Sequence, residues 1–302
     1  MGVLSTSHKV FIEVASRLSF SRASQVLFIS QPAISKHVKL LETYYKSPLF
    51  NRKGNVISLT DSGKILLNYL QEALIIQRRI EFELSTISDQ TQAMGQLKLG
   101  ASTTVALYIL PKILSGFHQK YPNLHIQLMN RNSENITNAL LIKEIDLGIV
   151  EVENKITSIT YQPFMTDEVI AVCSAHSALA QKREVDLGSL SHTPVALREQ
   201  GSGTLNALTL ALKKKGIEIS DLKVKIRLGG TEALKNFLLA DTCLGFLPLK
   251  SVIREIKSGE LLQIKIPGLS IRRDFYFIQP QGLSEFLLTK QFVRFAKSFD
   301  NL

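Results

Sequence analysis

The apolar positions follow three patterns along the chain. Over the first sixty residues they recur at helical spacing in short bursts separated by turns. One burst runs to about Arg17, a second begins after Ser21 and includes the small Ala23, and a third opens at Ser30. Phe28–Ser30 leaves room only for a tight turn between the last two. Within "ISQPAISKHVKLLE", residues 29–42, a rotation of about 100° per residue puts Ile34, Val38 and Leu41 on one face. Pro32, Ser35, Lys36 and Lys39 share the opposite face, which carries no acid before Glu42. Ser30 is placed to cap this helix. Pro32 fits its first turn, where backbone amides have no partner inside the helix. Two helices joined by a short turn make a helix-turn-helix, whose second helix enters the DNA major groove. "FNRKGNVISLT" then predicts a two-stranded wing with Arg52 and Lys53 near its tip.

The second pattern is one long helix over 62–88. Leu66, Leu70, Ala73, Gln77, Ile80, Leu84 and Ile87 alternate spacings of four and three, a heptad seam with one polar member. Thr60 is placed to cap it, and "SDQTQAMGQ" ends it as a polar hinge. The seam predicts a dimeric coil, with Gln77 helping to set register. The plainer alternative is an amphipathic helix lying on its own domain.

From Gln96 onward, short alternating runs exchange with helical ones. "QLKLGAS", "LHIQLMN", "DLGIV", "PVALR", "LKVKIRL", "CLGFLP" and "RRDFYFIQ" read as strands. Helical stretches lie between them, one of them opened by Ser133 as a cap, and a last helix closes the chain. This alternation predicts an α/β domain with a mostly parallel sheet covered by helices. A strand-rich middle marks a change of subdomain.

Composition narrows the function. A chain of 302 residues suggests about two or three domains. Net charge is +10, and residues 1–62 hold eight Lys and Arg against three Asp and Glu. Half of the surplus therefore sits in about a fifth of the chain, which points that segment at an anionic partner such as nucleic acid. Cys173 and Cys243 have apolar neighbours and no CxxC spacing, so they read as core residues in a reducing compartment. No apolar run reaches the ~18 residues of a membrane helix, and no signal peptide is evident; a cytoplasmic protein without membrane contact is expected. His118, His125, His176 and His192 are scattered singly. No catalytic constellation, metal cluster or cofactor motif stands out, so no enzyme is expected.

The acid-free helix face carries DNA-reading chemistry. Lys36 and Lys39 can meet phosphates or guanine acceptors, and Ser35 a base or phosphate. Gln31 can reach an adenine edge and Pro32 a thymine methyl; Ser30 lies at the same helix start. His37 either contacts DNA or flanks the inner face. With Phe20, Ala23, Leu27, "SQPAIS", Leu41–Glu42, "PLF", Arg52 and "LTDSG", the segment closely resembles the LysR-type transcriptional regulators. The resemblance extends over essentially the whole chain. The sequence departs from the family pattern at His37, where Gln is usual, and at Asn51, where an acid is common; the wing is also less basic than many.

The resemblance implies a multi-domain α/β protein: a winged helix-turn-helix at 1–61, a dimerising linker helix at 62–90, a hinge at 91–95 and an effector-binding domain at 96–302. The last resembles periplasmic binding proteins. It divides into subdomain I, about 96–163 and 270–302, and subdomain II, about 164–269, with a ligand in the cleft. Two stretches stand where strands give way to helices, the usual ligand position in such sheets. They are "GASTT", with Ser102, Thr103 and Thr104, and "REQGSGT", with Arg198, Gly201, Ser202, Gly203 and Thr204. Hydroxyls and helix-start amides favour an anion, and glycine allows close approach. The second stretch lacks the lysine of a phosphate-binding P-loop, so nucleotide hydrolysis is not expected. Thr231 in "GGTEA" is a third candidate, with helix capping as its alternative role. The "REQGSGT" loop is similar to that of regulators of sulfur assimilation and carbon fixation, which implies a sulfate-like, carboxylate or sugar-phosphate effector. Implied partners are double-stranded DNA at an inverted repeat, a small anionic metabolite, further copies of the chain up to a homotetramer, and RNA polymerase. The alternative is a DNA-binding regulator or architectural protein with no small-molecule effector.

Overall fold

The computed structural model describes residues 4–53, 56–88, 93–152, 154–281 and 286–299. It divides into two compact units, 1–95 and 96–302. The first contains α1 (Thr6–Arg17), α2 (Phe20–Leu27), α3 (Gln31–Tyr44), strands β1 (Phe50–Lys53) and β2 (Val56–Leu59), and α4 (Asp61–Ser88). A serine opens each of the first three helices: Ser5, Ser19 and Ser30 accept the amides of His8, Arg22 and Ala33. Because Ser19 is the cap, α2 starts at Phe20, slightly before the expected point. Leu18 and Phe28 then turn the chain out of α1 and α2 in the left-handed region, at φ 46° and 53°.

The interior of this unit is apolar. Phe11, Val14, Ala23, Ile34 and Val38 are fully or almost fully buried, and Phe50 packs its ring 5.4 Å from Phe11 and 5.6 Å from Phe20. Burying an aliphatic or aromatic side chain of this size contributes about 1.5–3 kcal/mol. The wing is pinned to this core. Glu42 accepts the Leu49 amide at 2.9 Å. Thr60 donates to the Pro48 carbonyl at 2.6 Å and accepts the Gly63 amide at 3.0 Å, which caps α4. A Cβ at Gly63 would collide with the Leu49 carbonyl oxygen.

The apolar seam of α4 divides. Leu66, Leu70 and Ala73 pack against the core of their own unit. Ile80, Leu84 and Ile87 remain exposed, joined by Ile65, Tyr69 and Ile76. The continuous exposed apolar side of α4 is thus offset from the seam read in the sequence, because the domain takes the first half of that seam for itself. Gln77 bonds to Glu81 along the helix at 2.8 Å. Of the expected hinge, residues 89–92 lie outside the described residues.

The second unit contains β3 (Gly95–Ser102), α5 (Leu110–Lys120), β4 (Leu124–Arg131), α6 (Ser133–Leu141), β5 (Leu147–Glu151), β6 (Ile159–Ser174), α7 (Leu179–Lys182), β7 (Val195–Arg198) and α8 (Gly203–Lys213). It continues with β8 (Val224–Leu228), α9 (Thr231–Ala240), β9 (Leu244–Pro248), α10 (Leu249–Ser258), β10 (Leu261–Ile264), β11 (Ile271–Pro280) and α11 (Leu287–Phe299). The strand order is β4-β3-β5-β11-β6-β9-β7-β8, with β10 also on β6. β3 pairs with β5, and β7 with β8 and β9, in parallel. β11 pairs with β5 and β6, and β6 with β9 and β10, all antiparallel. The sheet is therefore mixed rather than mostly parallel. The two long strands, β6 and β11, lie side by side and carry the chain between a first lobe, built on β3–β5, and a second, lobe II, built on β7–β10 and α7–α10, and back.

Period-two alternation on β6 feeds two cores. Val169, Ala171 and Cys173 face one layer with Leu205, Leu208 and Leu212 of α8. Ile170 and Val172 face the other, with Leu234, Leu238 and Val252 of α9 and α10. Both cysteines are free and buried. Burial, then the Asp241 carboxylate, push the Cys243 thiol up to about 12. Among the described residues, no helix is long and apolar enough to cross a membrane.

Candidate functional site

Two sets of polar side chains stand out, one in each unit. The first lies on α3. Ile34, Val38 and Leu41 fill the core, so the opposite face points away from it. Ser30, Gln31, Pro32, Lys36 and Lys39 are exposed and Ser35 is half-buried. His37 is half-buried too, and its Nδ1 lies 3.0 Å from the Ser7 hydroxyl of α1. A second tie between the same two helices' ends joins His8 Nε2 and the Tyr45 hydroxyl at 3.2 Å, and burial lowers the His8 pKa. Phe28, in the turn before α3, is 93% exposed. Arg52 and Lys53 lie on β1, but their side chains, with Gly54 and Asn55, are outside the described residues.

The second set lies in the second unit, where its lobes meet. Its centre is Arg273 of β11, a residue that sequence reasoning did not single out. Nε donates to Asp167 of β6 at 3.0 Å. Nη2 donates to the same Asp167 oxygen at 2.7 Å and to the Thr104 hydroxyl at 2.9 Å. Nη1 donates to the Thr204 hydroxyl at 2.8 Å and to Glu151 of β5. Glu151 also accepts the Ser133 hydroxyl. All five guanidinium hydrogens thus have acceptors. Thr104 precedes α5 in one lobe, Thr204 opens α8 in the other, and Arg273 draws these two expected residues together.

The remaining expected residues divide between this cluster and its surroundings. Ser102 ends β3 with its hydroxyl buried and without a hydrogen-bond partner among the described residues. Thr103 is half-buried at the start of the following helical run and takes no part in the Arg273 cluster. That run widens into a π-helical turn at Val105–Ile109. Pro111 follows two positions after Ile109 and has no N–H to donate to an i−4 carbonyl, which favours such a widening. Gly201 adopts φ 80° and lies against Glu134 and Asn132 of the α6 start. Ser202 is buried at the cap position of α8. A Cβ at Gly203 would collide with the carboxyl of Glu151.

Arg198 and Thr231 also meet, at 2.6 Å, deep in lobe II. Arg198 is paired through two nitrogens with Glu199, at 2.7 and 2.9 Å. Burial pushes the Glu199 carboxyl up, but hydrogen bonds and charge from Arg198 outweigh it and hold the pKa below the ordinary value. One expected helix cap is corrected here, and the alternative role of Thr231 is set aside. Asn132, not Ser133, caps α6, which leaves the Ser133 hydroxyl for Glu151. Thr231 lies inside α9 after Gly230, fully buried, and serves Arg198 instead of capping.

The residues missed in the sequence are Ser133, Glu151, Asp167 and Arg273. Two carried a signal. Asp167 stands within "MTDEVIAV" and Arg273 within "IRRDFYF", each at a core-facing step of an alternating strand. A charge at such a step is tolerated only when paired. Ser133 and Glu151 carried none, since their importance comes from what they meet.

A helix-turn-helix unit joined to a two-lobed α/β domain with a polar cluster between its lobes defines a one-chain transcriptional regulator of the sensor type. The chain matches the profile of the bacterial regulatory helix-turn-helix protein, lysR family, over residues 6–64, and that of the LysR substrate binding domain over 90–300. It belongs to the LysR family of transcriptional regulators. The HTH-type transcriptional regulator CysL of Bacillus subtilis is 25% identical over 290 residues, 96% of this chain and 95% of that protein. The RuBisCO operon transcriptional regulator of Acidithiobacillus ferrooxidans is 28% identical over 294 residues, 97% and 93% of the two chains. The regulatory domain of CcmR from Synechocystis PCC6803, solved in complex with 2-PG, is 26% identical with a TM-score of 0.61, covering 68% of this chain and 96% of that one. A full-length OxyR variant from Pseudomonas aeruginosa shares the fold at 16% identity and a TM-score of 0.69, covering 97% of each chain.

Proposed function

We propose that this regulator reads an inverted-repeat operator through α3 and that a small anionic metabolite, held between the lobes of the effector domain, sets its activity. One observation carries the reading: hydroxyls from both lobes, Thr104 and Thr204, meet on a single guanidinium at 2.9 and 2.8 Å. By accepting from Arg273, each hydroxyl keeps its own hydrogen as a donor for an anion. Ser102 adds a third hydroxyl nearby in the sequence, unpartnered among the described residues, and Thr103, Gly201, Ser202 and Gly203 complete the shell. Arg198 and Thr231 brace that shell from lobe II. The relative solved with 2-PG supports a small-molecule effector for this domain.

On the DNA side, Lys36, Lys39, Arg52 and Lys53 take phosphates or guanine, and Ser30, Gln31, Pro32 and Ser35 meet the groove. His37 keeps α3 in register on α1. The exposed apolar side of α4 buries itself against a second copy, giving a dimer with two recognition helices; two dimers form the tetramer. The protein works in the cytoplasm at promoters, with RNA polymerase as a further partner, and acts by binding rather than catalysis. A ligand can drive this response only through different affinities for two conformations.

The saturation of Arg273 favours one rival, a DNA-binding regulator whose cleft takes no effector. Genomic mapping of bound sites, followed by footprinting with and without metabolites of the neighbouring pathway, separates the two. An effector that changes footprint length supports the proposal. No preference for mapped sites over random DNA removes the operator reading, and no response to any metabolite leaves the rival.

A further inference from the structure

The Arg273 cluster is unbalanced. One guanidinium faces two carboxylates, Glu151 and Asp167, and all five of its hydrogens are taken by the chain itself. Asp167 holds it from the neighbouring long strand, through two nitrogens. Glu151 holds it differently. It comes from the end of β5, reaches across to the first residue of α8, and rests where only glycine fits, at Gly203. Its carboxylate thereby sits between the Arg273 guanidinium and the opening turn of α8, held there by the Ser133 hydroxyl.

We propose that Glu151 is a tethered competitor for the anion position of the cleft, and so sets which oxyanions the domain accepts and how tightly. The inference rests on the reading of the cleft as an effector site. An incoming phosphate, sulfate or carboxylate takes the Arg273 Nη1 hydrogen only when Glu151 gives it up. Apparent affinity then equals intrinsic affinity reduced to the fraction of molecules in which Glu151 has swung away. The side chain has somewhere to go. A cavity of about 350 Å³ with Asn138, Asn154 and Tyr161 in its wall opens beside Glu151, and another of about 190 Å³ with Ala207, Leu210 and Tyr276 adjoins it; Asn206 lines both. Asn138, Asn154 and Asn206 offer amide donors to a displaced carboxylate.

The test uses the full-length chain, with inorganic phosphate as the probe in calorimetry and sulfate and acetate as comparison anions. Glu151→Gln keeps size and shape and removes the competing charge. It is expected to bind phosphate at least tenfold more tightly than the wild type, and Thr204→Val added to it is expected to abolish the gain. Ser133→Ala, which leaves every charge in place and only loosens the hold on Glu151, is expected to give a smaller gain in the same direction. Urea unfolding of each variant's second unit checks that it is folded. Equal phosphate affinity in the wild type and Glu151→Gln overturns the proposal. Should Glu151→Gln fail to fold, an unchanged affinity in Ser133→Ala overturns it instead. The cleft reading is judged separately by Thr204→Val in the wild-type background. If that variant loses wild-type anion binding, the cleft reading survives the failure of the competitor. If it does not, both fall.

Discussion

The two units handle polarity in opposite ways. Around α3 the interior is apolar, and the side chains suited to DNA chemistry stand outside, in water. Between the lobes of the effector domain the polar groups are inside: Arg273, Asp167, Thr104 and Thr204 are each at least nine-tenths buried. The outer set is free to meet a partner without first breaking anything. The inner set is already satisfied, so binding there is an exchange of partners. A DNA-reading face gains from being ready for any encounter, since phosphates are everywhere along a duplex. On the proposed reading of the cleft, a satisfied charge cluster gives a sensor resistance to weak or wrong ligands.

The largest effect expected from breaking this contrast comes from Arg273→Met. It leaves Asp167 buried and Glu151 half-buried without their cation, and the cost is about 3–5 kcal/mol. A urea titration of the effector domain's unfolding should show a much lower midpoint, and an unchanged midpoint would mean that the cluster is wetter than the geometry shows. In the other unit the comparable weak point is steric. Gly63→Ala drives a methyl group into the Leu49 carbonyl and should cost about 1–3 kcal/mol. Thermal denaturation followed by circular dichroism would read it, together with weaker operator binding from a displaced wing.

A smaller effect sharpens the picture of lobe II. The folded pKa of Glu199 lies below its ordinary value of 4.5, so its contribution to stability is complete above pH 4.5 and is lost as pH falls through the folded value. The advantage of the wild type over Glu199→Gln in urea midpoint should be steady near neutrality and shrink below pH 4.5. A constant difference down to pH 3 would contradict the pairing with Arg198. The gentlest test concerns α3. Lys36→Ala should weaken operator binding and lower the slope of log affinity against log salt by about one unit, measured by fluorescence anisotropy. An unaltered slope would place Lys36 away from phosphates.

Legibility followed the same divide. The exposed face of α3 could be read because its members lie within one helix, where rotation alone decides which way they point. Thr104 and Thr204 could be picked out because each sits where a strand gives way to a helix. Glu151 and Ser133 could not. The role of Glu151 depends on meeting Arg273, more than a hundred residues away in the chain, and that of Ser133 on meeting Glu151. The seam of α4 was half legible for a related reason: its spacing is plain, but whether Leu66, Leu70 and Ala73 face another copy or their own domain depends on where the wing and α1 place the core.

The sequence by itself determined the main elements, the helix-turn-helix with its Ser30 cap, the basic exposed side of α3 and the alternating α/β order, since each depends on periodicity or on residues a few positions apart. Tertiary structure alone decided the mixed pairing around β6 and β11, the division of the α4 seam, and the saturation of Arg273 by Thr104, Glu151, Asp167 and Thr204, drawn from separate segments of the chain. The physical reason is that a buried charge must find partners wherever the fold brings them, and hydrogen-bond distance in space carries no trace in the spacing along the chain.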